Sequence, residues 1–168
     1  MIREFSRHGS NAVLIFGALA ICLAVAFGEV QLLPLWILGG ALLFHLSEYG
    51  THRFLFHAPP SKNGWILRAQ HRLHYDHHVE PNRLDLLFLP VWYVVPNFAV
   101  IVLGTWALLG DPQVVTSFLL GAILALLHYE WVHYIAHISY RPQTRFGRWM
   151  KKYHLWHHFK NEHFWFGV

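Results

Sequence analysis

Four long apolar runs restrict what this chain can become. Ala12 to Gly28 is unbroken (AVLIFGALAICLAVAFG). Val30 to Leu46 follows, with Pro34 near its start, where proline costs a helix least. Leu84 to Leu109 is the third run, and Val114 to Leu127 and onward the fourth. About 20 helical residues cross a hydrocarbon core of about 30 Å, so each run qualifies as a span. The composition agrees: 55% of the 168 residues are hydrophobic and the mean hydropathy is +0.31, too oily for an ordinary soluble domain. Gly28-Glu29 joins the first pair of runs and Gly110-Asp111-Pro112 the second, both turn-sized. The expected fold is therefore an all-α, integral-membrane, single domain of four transmembrane helices arranged as two hairpins. The spans lie near residues 12–28, 30–48, 84–109 and 112–136, and a helical histidine-rich cap is formed by 49–83 and 137–168. Pro90 and Pro96 predict a kink or a re-entrant segment in the third span.

The charges orient these spans. All 13 Lys and Arg residues fall before the first run (Arg3, Arg7), between the hairpins (Arg53 to Arg83) or after the fourth run (Arg141 to Lys160). Neither short turn carries one. The positive-inside rule then places both termini and the cap in the cytoplasm. Arg3, Arg7 and Ala24-Val25-Ala26 also fit a cleavable signal peptide, but the apolar run is long for one and a second run follows at once. A net charge of +4 and a pI near 9.4 do not mark a nucleic-acid binder, because the cations flank apolar spans among aromatic residues. A membrane-surface role fits them better. The single cysteine, Cys22, lies inside an apolar run, which excludes a disulfide framework and a Cys-based metal site.

Chemistry is concentrated in the histidines. Of 15, ten fall into four groups: His52 and His57; His74, His77 and His78; His133 and His137; His154, His157 and His158. Residues three and four apart share a helical face, so His-x-x-His-His is expected to aim three imidazoles at one point and His-x3-His two. Imidazole is neutral near pH 7 and is the commonest metal ligand. Ten such ligands imply two metal ions with about five each. Structural zinc closes at four ligands, whereas five nitrogen donors leave one octahedral position open for oxygen or substrate. The pattern predicts a di-metal centre, with iron the expected metal and zinc a competitor for the same nitrogens in purified protein. His52 and His57 are five apart, about 140° around a regular helix, so either the helix breaks near Phe54 or each serves a different metal.

Glu130 precedes His133 by three residues and shares its helical face. Its expected role is to accept a hydrogen bond from a ligand's second ring nitrogen, with direct ligation the alternative. Asp76 reads as a solvated acid and His8 as an interfacial side chain, while His71 and His163 are open between that and function. His45 and His128 lie deeper in their spans, where they suit a cavity wall or a helix–helix hydrogen bond.

The stretches EYGTHRFLFH, HRLHYDHHVEPNRLDLLFLP, HYEWVHYIAH and YHLWHHFKNEHFWFGV resemble, in order, the four histidine boxes of the fatty acid hydroxylase superfamily. That group of membrane-bound di-iron enzymes includes the sterol desaturases and the fatty acid 2-hydroxylases. HRFLFH, the HH-x-x-P-x-x-x-x-R-L pattern and the HHFK tail look closest to the 2-hydroxylases. The resemblance covers roughly Glu48 to Val168 and implies that all ten grouped histidines are metal ligands. It implies hydroxylation of a lipid C–H bond, most closely of a fatty acyl chain, with O2 as co-substrate. It also implies a separate electron donor, cytochrome b5-like or ferredoxin-type, because the fused cytochrome b5 domain of many relatives is not in this sequence. His71, three residues before His74, departs from the 2-hydroxylase spacing, and the chain stops directly after the fourth box. A sterol desaturase or carotenoid hydroxylase would share the metal chemistry. A zinc-dependent membrane hydrolase or a metal transporter are the rivals from other classes, although a transporter would want its histidines and acids spread along the spans.

Overall fold

The computed structural model describes residues 1–167, and every regular element among them is helical. In chain order these are α1 (Ile2–Arg7), α2 (Gly9–Ala26), α3 (Pro34–Thr51), a π-helical turn (His52–Phe56), α4 (Gly64–Gln70), a second π-helical turn (His71–Tyr75), α5 (Asp76–Val79), α6 (Leu84–Leu87), α7 (Val91–Leu109), α8 (Pro112–His137) and α9 (Arg145–Phe159). Two compact units result. One combines residues 1–45 with 90–128, and the other combines 46–89 with the chain from 129 onward.

The first unit is the apolar one. Its turns follow the sequence signals: Gly28 and Gly110 both take positive φ, and Pro34 and Pro112 open α3 and α8, where a missing N–H is no loss. Asp111 caps α8 by accepting from the Gln113 N–H at 2.8 Å. The N–H groups just ahead of α3 find partners on α8, Gln31 on the Gln113 side chain and Leu33 on Ser117 Oγ at 2.9 Å. Glycine then lets α3 and α8 touch backbone to backbone. A Cβ on Gly40 would land on the Phe118 carbonyl oxygen, and one on Gly121 on that of Ile37. Small residues at helix contacts do this in membranes, where close van der Waals packing replaces the hydrophobic drive. The outward faces stay oily, with Phe16, Leu19, Leu23, Leu103 and Leu108 exposed.

Three stretches are long and apolar enough to cross a membrane: Gly9–Ala26, Leu84–Leu109 and Pro112–His137. The expected second span, α3, is a full 18-residue helix, but His45, Ser47 and Glu48 make its last third polar. In the third run, α6 stops at Leu87, and Pro90 stands as the N-cap of α7, which continues through Pro96 for 19 residues. At 1.5 Å per residue α7 alone is about 28 Å long.

The second unit is built by polar clasps rather than by a large apolar core. Gln70 accepts from the Ser61 N–H and donates to the Leu55 and Pro59 carbonyls, closing the loop after the first histidine pair. Arg72 donates to the Asp85 and Phe88 carbonyls, at 3.1 and 3.5 Å. Lys151 of α9 donates to the carbonyls of Ile135, Ile138 and Tyr140 at 3.0, 2.7 and 2.9 Å. Ile135 is an orphan acceptor in the last turn of α8, and Ile138 and Tyr140 lie just beyond the helix end. One ammonium thus seats α9 against α8 and sets His154 opposite His137.

Candidate metal centre

Two of the four histidine segments depart from a plain α-helix. The helix neither breaks near Phe54 nor sends His52 and His57 to different histidine sets. It widens: the His57 N–H bonds back to the His52 carbonyl at 3.1 Å, an i to i+5 closure that brings the two rings onto one face. Such π-turns concentrate at functional sites. A second one runs from His71 to Tyr75 and delivers His74.

All ten grouped histidines converge, as two sets of five. One set is His52, His57, His74, His78 and His157; the other is His77, His133, His137, His154 and His158. Within each set the ligand atoms lie within 4.8 Å of one another. Nitrogens about 2.1 Å from a shared ion are at most about 4.2 Å apart, so small ring shifts close each cage. The expectation that a triad aims at one point is corrected here. His74 and His78 go to one set and His77 to the other, while His154 and His158 part from His157 in the same way. Adjacent helical residues diverge by about 100°, so the neighbours in His-His cannot share an ion, and each triad spans both positions. The sets abut, with the His78 and His158 rings stacked at 4.1 Å.

The protonation pattern shows what the cages suit. His157 Nδ1 donates to the Phe164 carbonyl at 2.8 Å, and His52 Nδ1 meets Glu48 Oε1 at 3.2 Å. A carbonyl only accepts, as does an ionised carboxylate, so both Nδ1 atoms carry the proton. Burial holds both rings down to about 4, so they are neutral at pH 7. Their Nε2 atoms are therefore bare lone pairs, and they face each other at 3.1 Å. Burial likewise pushes His57 and His77 down to about 3. Nε2 atoms of His57 and His74 approach to 2.7 Å, those of His77 and His133 to 3.0 Å, and those of His137 and His154 to 2.8 Å. Converging lone pairs in a dry pocket repel unless a cation sits among them.

Glu130 is fully buried, but its hydrogen bond goes to the Leu89 N–H at 3.0 Å, at the break before Pro90, and to no ring nitrogen. Among the cage histidines, the ring nitrogen that hydrogen-bonds a carboxylate is His52 Nδ1, and the carboxylate is Glu48, which the sequence did not single out. Its signal was the spacing: Glu48 precedes His52 by four residues, on the same helical face. Glu162, 3.6 Å from His78 Nδ1, and the Phe164 carbonyl were also missed, because only folding returns the tail onto α9. Phe166 closes over this set, 5.7 Å from the His52 ring and 5.6 Å from that of His157. The remaining histidines stay outside the cages. His71 pairs with Asp76 at 2.8 Å on the surface, and His45 and His128 meet edge to face at 6.5 Å between α3 and α8.

The chain is similar in sequence to several known hydroxylases. The chain is 33% identical over 133 residues to the dihydroceramide fatty acyl 2-hydroxylase FAH2 of Arabidopsis thaliana, covering 77% of this chain and 53% of that protein. It is 36% identical over 137 residues to the ceramide very long chain fatty acid hydroxylase SCS7 of Saccharomyces cerevisiae, covering 77% of this chain and 33% of that one. With the rat fatty acid 2-hydroxylase it shares 32% over 145 residues, 83% of this chain and 37% of the relative. The chain thus spans about half or less of the length of these relatives. A solved structure, full-length scs7p with only its hydroxylase domain visible, superposes with a TM-score of 0.73 at 28% identity, over 94% of this chain and 58% of that one. The Fatty acid hydroxylase family profile matches residues 37–168, which include every histidine of both cages, and the chain belongs to that family.

Proposed function

We propose that this chain is a membrane-bound lipid hydroxylase domain, residues 1–168 working together, whose ten caged histidines hold two iron ions. The observation that carries the reading is the convergence of ten imidazoles into two abutting five-histidine cages, in one of which the neutral, lone-pair nitrogens of His52 and His157 face each other. The family supplies the reaction class, and the names of the relatives point to a fatty acyl chain hydroxylated at carbon 2. When bound, the iron ions supply the activation of O2 and the oxidation. One oxygen atom enters the C–H bond and the other leaves as water, which consumes two electrons and two protons. A separate carrier, cytochrome b5-like or ferredoxin-type, delivers the electrons.

The protein's own contribution is positional. Glu48 and the Phe164 carbonyl hold the His52 and His157 rings as Nδ1–H tautomers with Nε2 directed inward. Phe166 and the burial of both cages keep water from the centre. Lipid mass spectrometry of cells with and without the gene tests the reading, alongside O2 consumption by pure protein with a reductant. Acyl chains heavier by one oxygen are expected. A loss of two hydrogens would make it a desaturase, and no oxygen uptake would sink the oxygenase assignment.

The proposed topology has four crossings, with α3 as the one whose polar end reaches the surface, and with both termini and the metal site cytoplasmic. The confinement of all 13 basic residues to three segments supports it. Ser61→Cys and Gln143→Cys should both react with an impermeant thiol reagent from the cytoplasmic side only. Labelling from opposite sides would separate the two triads by a membrane and end the shared centre.

A further inference from the structure

The two cages differ in what stands behind them. In the set of His52, His57, His74, His78 and His157, two rings have a hydrogen-bond acceptor at Nδ1 and a third has a carboxylate at ion-pair distance from it. Glu48 stands 3.2 Å from His52, Glu162 3.6 Å from His78, and the Phe164 carbonyl 2.8 Å from His157. Two of these three are carboxylates, and the Glu48–His52 pair is almost wholly buried, with 10% and 3% of the side chains exposed. In the other set, Nδ1 of His77, His133, His154 and His158 is buried and finds no acceptor among the described residues. Glu130, the acid on its helix, is turned to Leu89 instead. The Lys151 ammonium, held by the carbonyls of Ile135 and Ile138 on either side of His137 in the chain, brings a positive charge to this set.

We propose that the two metal positions are inequivalent, and that the carboxylate-backed cage of His52, His57, His74, His78 and His157 takes the first and more tightly held ion. The inference rests on the metal-binding reading above. A carboxylate behind an imidazole raises its basicity and fixes its tautomer, and a negative charge near the ion adds direct attraction. In the second cage a bound cation finds rings with no such support and a fixed positive charge nearby. Glu48 and Glu162 are thus positioning residues, acting through His52 and His78.

Protein stripped with a chelator and titrated with Co2+, followed by calorimetry and by the visible spectrum of the bound ion, tests this. The unaltered protein should take up two equivalents in separate steps. Glu48→Gln keeps the shape but removes the charge, and should weaken the first step by about 10- to 100-fold while leaving the second unchanged. Glu48→Asp should restore part of the loss. Glu162→Gln changes a half-exposed side chain that the fold can spare, and should weaken the same first step by a smaller factor. His158→Ala should delete the second step alone. Two identical steps in the unaltered protein, or a Glu48→Gln effect on the second step or on both equally, would overturn the inequivalence and leave the metal reading standing. Absence of any Co2+ uptake would overturn the metal reading itself.

Discussion

His158→Ala should lower the bound metal from two equivalents to one and abolish hydroxylation. Both ring nitrogens of His158 are buried without a partner among the described residues, which leaves the ring to the cage it shares with His77, His133, His137 and His154. Removing it leaves four donors and opens a gap beside the stacked His78 ring. Loss of a single hydrogen-bond partner behind a ligand costs 10- to 100-fold in affinity or activity, so loss of the ligand itself should exceed about a hundredfold. His78→Ala should empty the other position in the same way. Metal analysis of purified protein, paired with the acyl hydroxylation assay, checks both. Two retained equivalents in either variant would sink the ligand assignment.

Gly40→Ala and Gly121→Ala should be the most destabilising single substitutions in the apolar unit. In each, the added methyl meets a backbone carbonyl oxygen, of Phe118 or of Ile37, and no side chain can move aside to relieve it. The two helices must separate, which costs about 3 kcal/mol. For a chain of this size that is a fall of about 6 to 12 °C in the thermal midpoint in detergent. Gly104→Ala is the control, because a Cβ there meets nothing within 4 Å. A helical glycine-to-alanine change in open space should stabilise slightly, by about 0.5–1 kcal/mol. Equal midpoints for Gly40→Ala and Gly104→Ala would show that α3 and α8 do not meet backbone to backbone.

Several elements of this protein were legible from local information. The apolar runs announced α2, α7 and α8, because a stretch of about 20 oily residues has few fates other than a buried or lipid-facing helix. Gly110-Asp111-Pro112 announced the turn before α8, since only a glycine takes φ of +62° without strain and a proline opens a helix without loss. The four histidine groups announced the ten cage residues, because such density of one ligand type has no packing explanation. Glu130 was half legible. Its burial followed from its place on the His133 face, but its partner did not, because Leu89 is 41 residues away in the chain.

Which histidines share a cage was decided elsewhere. Spacing gives direction only if the helix is regular, and at His52–Phe56 and His71–Tyr75 it is not: an i to i+5 closure rotates every later side chain relative to the α-helical expectation. The triads were counted correctly and divided wrongly for a related reason, since two adjacent imidazoles 100° apart reach one point only in the chain's formula and not on its helix. The Nδ1 partners belong to the same class. Glu48 is local and could be read at four residues, whereas Phe164 and Glu162 reach the cage only because the tail folds back over α9. The amino-acid sequence by itself determined the helical class, the turns and the identity of the ten cage histidines, because each depends on neighbours within one or two turns. The tertiary structure alone decided the partition into two cages, their unequal backing and the close contact of α3 with α8. These depend on distances between segments far apart in the chain, which no local periodicity encodes.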